Sequence, residues 1–94
     1  MSLVRLPPVL RAAVGGMREV PVTGATVSEV LDNLYDAHPA VKAQLLTADG
    51  ELHRFVNIYV NDEDVKLLSW LDTPVGENDT VLILPAMAGG ADAR

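Results

Sequence analysis

Apolar and polar residues alternate from Ser2 to Leu6, with Leu3 and Arg5 on one side and Val4 and Leu6 on the other. That period-two pattern predicts a strand. Pro7 and Pro8 end it, because proline cannot donate to a ladder. Val9 to Val14 reads as a loop or short helical turn, and Gly15-Gly16 as a turn. Met17 to Val22 reads as a second strand, antiparallel to the first. A helix follows. Thr26 suits the N-cap and Glu29 stands three residues on, the spacing of a capping box. Val27, Val30, Leu31, Leu34 and Tyr35 then share one helical face, while Glu29, Asp32, Asn33 and Asp36 take the wet side. Pro39 stops this helix after His38. Ala40 to Leu46 offers a further short helical turn, broken at Asp49-Gly50.

Phe55 to Asn61 alternates cleanly, with Val56, Ile58 and Val60 on one side and Phe55, Asn57 and Tyr59 on the other. Asn61-Asp62-Glu63-Asp64 is a polar turn, Val65 to Leu68 a short strand, and Gly76-Glu77-Asn78-Asp79 another turn. Thr80 to Leu84 is the last strand, closed by Pro85. The order is strand, strand, helix, strand, short strand, strand. One helix must then cover one face of one mixed sheet of four to five strands, an α+β arrangement that fits the β-grasp architecture. The domain is expected over residues 1–85, with a flexible tail at 86–90 and an extension at 91–94.

The chain's 94 residues suit a single domain with one modest core and no deep enclosed active site. Thirteen acidic and seven basic residues give a net charge of −6. That balance argues against nucleic acid, which needs a basic face. The charge is uneven: Arg5, Arg11 and Arg18 are offset only by Glu19 in the first twenty residues, and Glu29, Asp32 and Asp36 cluster soon after. This reads either as ordinary solvated surface or as a polarised surface that orients a partner. With no cysteine, the chain has no disulfide, thiolate nucleophile or cysteine-held metal. No apolar run approaches a membrane span and no signal-peptide pattern opens the chain, so a cytoplasmic location away from membranes is expected.

The end of the chain carries the chemistry. A strand rich in Val and Leu runs into Pro85, then Ala86-Met87-Ala88-Gly89-Gly90, then Ala91-Asp92-Ala93-Arg94. This ending, from Val81 to Gly90, and the segment Leu52-His53-Arg54-Phe55-Val56-Asn57-Ile58-Tyr59-Val60-Asn61-Asp62-Glu63-Asp64-Val65 resemble the bacterial cysteine-biosynthesis sulfur carrier. That family includes the ubiquitin-like carriers of molybdopterin and thiamine synthesis. The resemblance implies a β-grasp fold and a carrier rather than a catalyst, with no catalytic residue or bound cofactor or metal on this chain. In such families an E1-like adenylating sulfurtransferase uses ATP to convert the terminal glycine carboxylate to an acyl adenylate. A sulfur donor displaces AMP and leaves a thiocarboxylate, which a sulfur-accepting synthase consumes. A pyridoxal-phosphate enzyme making cysteine is one such synthase. Gly89 and Gly90 would be the sulfur-carrying end.

Glycine suits a terminus that threads a narrow channel, since it has no Cβ. Five extended residues beyond Pro85 reach roughly 17 Å. The departure from the family is the continuation past Gly90. Either a peptidase removes Ala91 to Arg94 or the carrier role is lost and the last ten residues are only a frayed terminus. The resemblance implies the first, with cleavage between Gly90 and Ala91 by a zinc metallopeptidase.

Other residues are weighed beside this end. Phe55, Tyr59, Leu82 and Leu84, with Pro85 and Met87, form a candidate partner-binding surface if they are exposed, or packing if loops cover them. His38 suits a helix C-terminus. His53 and Arg54 read as a partner contact or, in preference, as a solvated strand entry. Asp62, Glu63 and Asp64 lack calcium-loop spacing and read as a solvated turn. Trp70 is expected to pack the segment after the short strand, and Gly15-Gly16 lacks the context of a phosphate loop. Two alternatives share the fold: a ubiquitin-like modifier conjugated through Gly90, and a non-covalent β-grasp module that never uses its tail.

Overall fold

The structure is a computed structural model and describes residues 2–53 and 56–85. The alternating segments form one five-stranded sheet in the order β2-β1-β5-β3-β4. Its strands are β1 (Ser2–Arg5), β2 (Glu19–Val22), β3 (Val56–Val60), β4 (Glu63–Asp64) and β5 (Thr80–Pro85). β1 pairs antiparallel with β2 and parallel with β5, and β5 pairs antiparallel with β3. A hairpin, a helical crossover and a last strand inserted at the centre make the β-grasp arrangement.

Each strand buries its alternate residues. Val4, Val20, Val22, Val56, Ile58, Val60, Val81 and Ile83 face the core. Leu3, Arg5, Glu19 and Pro21 face out. Pro21 sits mid-strand, which an outermost strand such as β2 permits. The inward register of β3 agrees with the expectation for Val56, Ile58 and Val60.

The helical layer is larger than one helix. α1 (Pro8–Arg11) continues into a 3₁₀ turn at Ala12–Val14, resolving the loop-or-turn alternative as helical, and buries Leu10 and Val14. Gly15 and Gly16, both at positive φ, then turn the chain towards β2. α2 (Val27–Ala37) buries the five apolar residues expected on its inner face. Thr26 Oγ1 accepts the Glu29 N–H at 3.2 Å. The return bond lands one residue upstream of a true capping box: Glu29 Oε1 accepts from Ala25 N at 3.0 Å. His38 closes α2, its N–H donating to Leu34 O. Pro39 is both a stop and a start. It opens α3 (Pro39–Leu45), whose Val41 and Leu45 complete the core, because proline's missing N–H is harmless in a first turn.

The expected strand at Val65 to Leu68 is not formed. Asn61 and Asp62 both take positive φ and make a two-residue hairpin turn, so pairing resumes at once in β4, with Val60 opposite Glu63 and Tyr59 opposite Asp64. The Asp64 carboxylate then accepts the Lys66 N–H at 2.9 Å. That cap starts a 3₁₀ turn at Val65–Leu67, which buries Val65 and leaves Leu67 exposed. β2 likewise begins at Glu19, not at Met17. Trp70 differs too: it takes φ 55° and stays 38% exposed, while Leu71 packs against the core in its place.

Candidate functional site

The topology puts the root of the tail in the middle of the sheet. β5 lies between β1 and β3: it pairs with β1 from Thr80 to Leu82 and with β3 from Val81 to Pro85. The last pair is Val56 with Pro85. The base of β5 is tied equally well. The Asn61 side chain donates to Asp79 Oδ1 at 2.8 Å and accepts from Thr80 N at 3.0 Å. Gly76 N donates to the other Asp79 oxygen at 2.7 Å. These bonds, led by that from Gly76, hold the Asp79 carboxyl below its ordinary pKa. Nothing in the spacing of Asn61 and Asp79 signals this junction, because the sheet joins them across a long loop. A strand so anchored at its start and along its length gives whatever follows Pro85 a fixed origin.

The outward face of the sheet around that origin is partly apolar. Val81 and Ile83 are buried, so Leu82 and Leu84 face out as expected. Tyr59 is opposite Leu82 and Asn57 opposite Leu84. Leu84 is 36% exposed and Leu3, on the same face, 39%. Tyr59 and Leu82 are half-buried, so neither full exposure nor full cover describes the face. Lys66 lies across it, donating to Asn57 Oδ1 at 2.9 Å. The structure thus brings together Tyr59, Leu82 and Leu84 beside the end of β5. Phe55, Met87, Gly89, Gly90 and Ala91, like Arg54, lie outside the described residues.

Parallel pairing puts the C-terminal ends of β1 and β5 at the same edge. A groove of about 400 Å³ runs there, lined by Arg5, Leu6, Arg11, Arg18, Leu82 and Leu84 among others. Arg5 is paired with Glu19 at 3.3 Å. Arg11 Nε donates to Leu6 O at 3.1 Å. The acidic residues Asp62, Glu63 and Asp64 serve the β3–β4 hairpin, as its turn, its strand and the cap of the next 3₁₀ turn. His53 is half-buried, its backbone N–H donating to Leu45 O at 2.9 Å, so it is not a freely solvated strand entry. A wider cleft of about 530 Å³ lies on the helical layer between Tyr35, Lys42 and Trp70. Among the described residues, no helix is long and apolar enough to cross a membrane.

Comparison with known proteins agrees with this geometry. Residues 4–90 match the ThiS family. The chain belongs to the ThiS family, a group of ubiquitin-like β-grasp proteins. It is 43% identical over 89 residues to the sulfur carrier protein CysO of Mycobacterium tuberculosis, covering 93% of this chain and 96% of that one. In the crystal structure of an Amycolatopsis orientalis BexX/CysO complex, the matching chain superposes with a TM-score of 0.85 at 44% identity, covering 96% of this chain and all of that one. The small archaeal modifier protein 1 of Haloferax volcanii is 34% identical over 82 residues, 84% of this chain and 90% of that one.

Proposed function

We propose that this chain is a sulfur carrier whose working group is the carboxylate of Gly90, freed by cleavage between Gly90 and Ala91. The observation that carries this reading is the family match, which spans the folded domain and ends at the second glycine of the pair, leaving Ala91-Asp92-Ala93-Arg94 beyond it. The fold supports it by rooting the tail in a central strand. The chemistry follows from what a glycine carboxylate can become. One of its oxygens attacks the α-phosphorus of ATP on an E1-like adenylating enzyme, and pyrophosphate leaves. A sulfur nucleophile at the oxidation level of sulfide then attacks the acyl carbon, and AMP leaves with its electron pair. The product is a thiocarboxylate, a soft nucleophile on a chain without a thiol of its own.

The carrier itself supplies reach, recognition and a carboxylate; ATP is bound by its partner. Gly89 and Gly90 would enter the partner's channel, with Tyr59, Leu82 and Leu84, and beyond them Phe55, Pro85 and Met87, as the docking surface. The relatives' names support a carrier rather than a catalyst. The Amycolatopsis complex supports a protein partner for this fold. A zinc metallopeptidase for the tail and a sulfur-accepting synthase, with pyridoxal phosphate where cysteine is made, complete the reading. It is set in the cytoplasm, where ATP is available.

The resemblance to an archaeal modifier favours one competing reading, conjugation of Gly90 to a lysine. The two diverge only after adenylation, at the choice of sulfur or amine as nucleophile. Intact-mass analysis of the protein from its native cell separates them. The carrier reading predicts a chain ending at Gly90 with one oxygen replaced by sulfur. Branched peptides on other proteins would favour the modifier, and a chain that always retains Ala91 would contradict both.

A further inference from the structure

The arginines of the first twenty residues are scattered in sequence and gathered in space. Arg5, Arg11 and Arg18 line one groove at the C-terminal edge of β1 and β5. Three of the seven basic residues of a chain with net charge −6 therefore stand at the exit of the tail. Glu19 is the acid on that lining, and its pair with Arg5 is between side chains that are 60% and 45% exposed, which makes it weak. Arg18 has no ion pair among the described residues. Arg11 is held by its Nε bond to Leu6 O, which leaves both of its Nη groups to bind elsewhere. Leu82 and Leu84 give the groove an apolar wall.

We propose that this groove seats an acidic segment of the enzyme that adenylates Gly90, with carboxylates on Arg11 and Arg18 and an adjoining apolar side chain against Leu82 and Leu84. The inference rests on the carrier reading and deepens it. Charge complementarity and position both point to this occupant. On a chain of net charge −6, a groove that gathers three arginines attracts an acidic surface and orients the encounter before contact. That groove is at the root of the tail. A partner held there lies with its active site within one tail length, roughly 17 Å for five extended residues.

The test uses the chain ending at Gly90 and its activating enzyme, with ATP–pyrophosphate exchange measured against carrier concentration. Arg11→Glu combined with Arg18→Glu should raise KM roughly tenfold or more, with an effect that shrinks as salt is added. The rate at saturating carrier should change little, since the tail is intact. Lys42→Glu makes the same kind of charge change on the helical layer and should leave KM where it was; circular dichroism melts confirm that all variants fold. An unchanged KM in the arginine double variant would overturn the proposal, as would an equal rise with Lys42→Glu. Salt-sensitive self-association of the carrier alone, lost in the double variant, would place a second copy in the groove and overturn it too. No exchange with the parent chain would sink the carrier reading itself, and this inference with it.

Discussion

Ile58 has no exposed surface, while Asn57 beside it lies on the other face of β3 and accepts a hydrogen bond from Lys66. The same substitution should therefore have opposite consequences at the two positions. Ile58→Asp places an unpaired charge in the core and should cost about 4–5 kcal/mol, enough to unfold a marginal domain. Asn57→Asp stays near Lys66 at the surface and should shift stability by no more than about 0.5 kcal/mol. Urea melts of the two variants check the ranking, and a reversed order would mean that the β3 register is off by one residue. Tyr35 makes a different point. Its hydroxyl is buried with no hydrogen-bond partner among the described residues. Burial first, and the Asp32 carboxylate second, push its pKa up to about 12. The folded state thus prefers the neutral phenol. Its contribution is complete below the unfolded pKa near 10 and is lost as pH rises from there through about 12. Tyr35→Phe should lose less stability than the parent across that alkaline window. At neutral pH it should be neutral or slightly stabilising, since it removes an unsatisfied hydroxyl. Melts at a series of pH values read both effects.

Among the elements, α2 depends on a tight approach at its entry. A Cβ on Gly24 would lie 2.7 Å from both Val30 N and Val30 Cγ2, the first of which is helix backbone and cannot swing away. Gly24→Ala should cost about 2–3 kcal/mol. Gly50 has φ 82° and open space where a methyl would stand, so its replacement by Ala should cost only the backbone penalty, about 1 kcal/mol. Thermal melts of the two variants give the comparison. α2 is also the element most legible in the sequence, because its cap and its five apolar residues fall at helical spacing within one short stretch. α3 is less so, since Pro39 satisfies the rule for ending one helix and for beginning another. The misplaced short strand has a similar origin. Val65 is apolar because a 3₁₀ turn buries it, and a two-residue turn with positive φ had already returned the chain to the sheet at Glu63. The outward aim of Leu82 and Leu84 is readable from alternation alone. Their partial cover is not, because Tyr59, Arg5 and Lys66 reach that face from three separate segments.

At the scale of the molecule, the decisive feature is the parallel insertion of β5 beside β1. It gathers Arg5, Arg11 and Arg18 at the mouth of the tail, which composition hints at and only the fold completes. It also places the last strand between two neighbours, with its final residue, Pro85, still paired to Val56. A carrier role requires that the Gly90 carboxylate be free before anything happens to it. Acyl activation needs a carboxylate oxygen as nucleophile, and within the full chain the Gly90 carbonyl belongs to an amide. ATP–pyrophosphate exchange by the purified activating enzyme compares the two forms directly. The chain ending at Gly90 should support exchange and the chain continuing to Arg94 should not, and a single alanine added after Gly90 should already abolish it. Equal exchange with both forms would contradict the account.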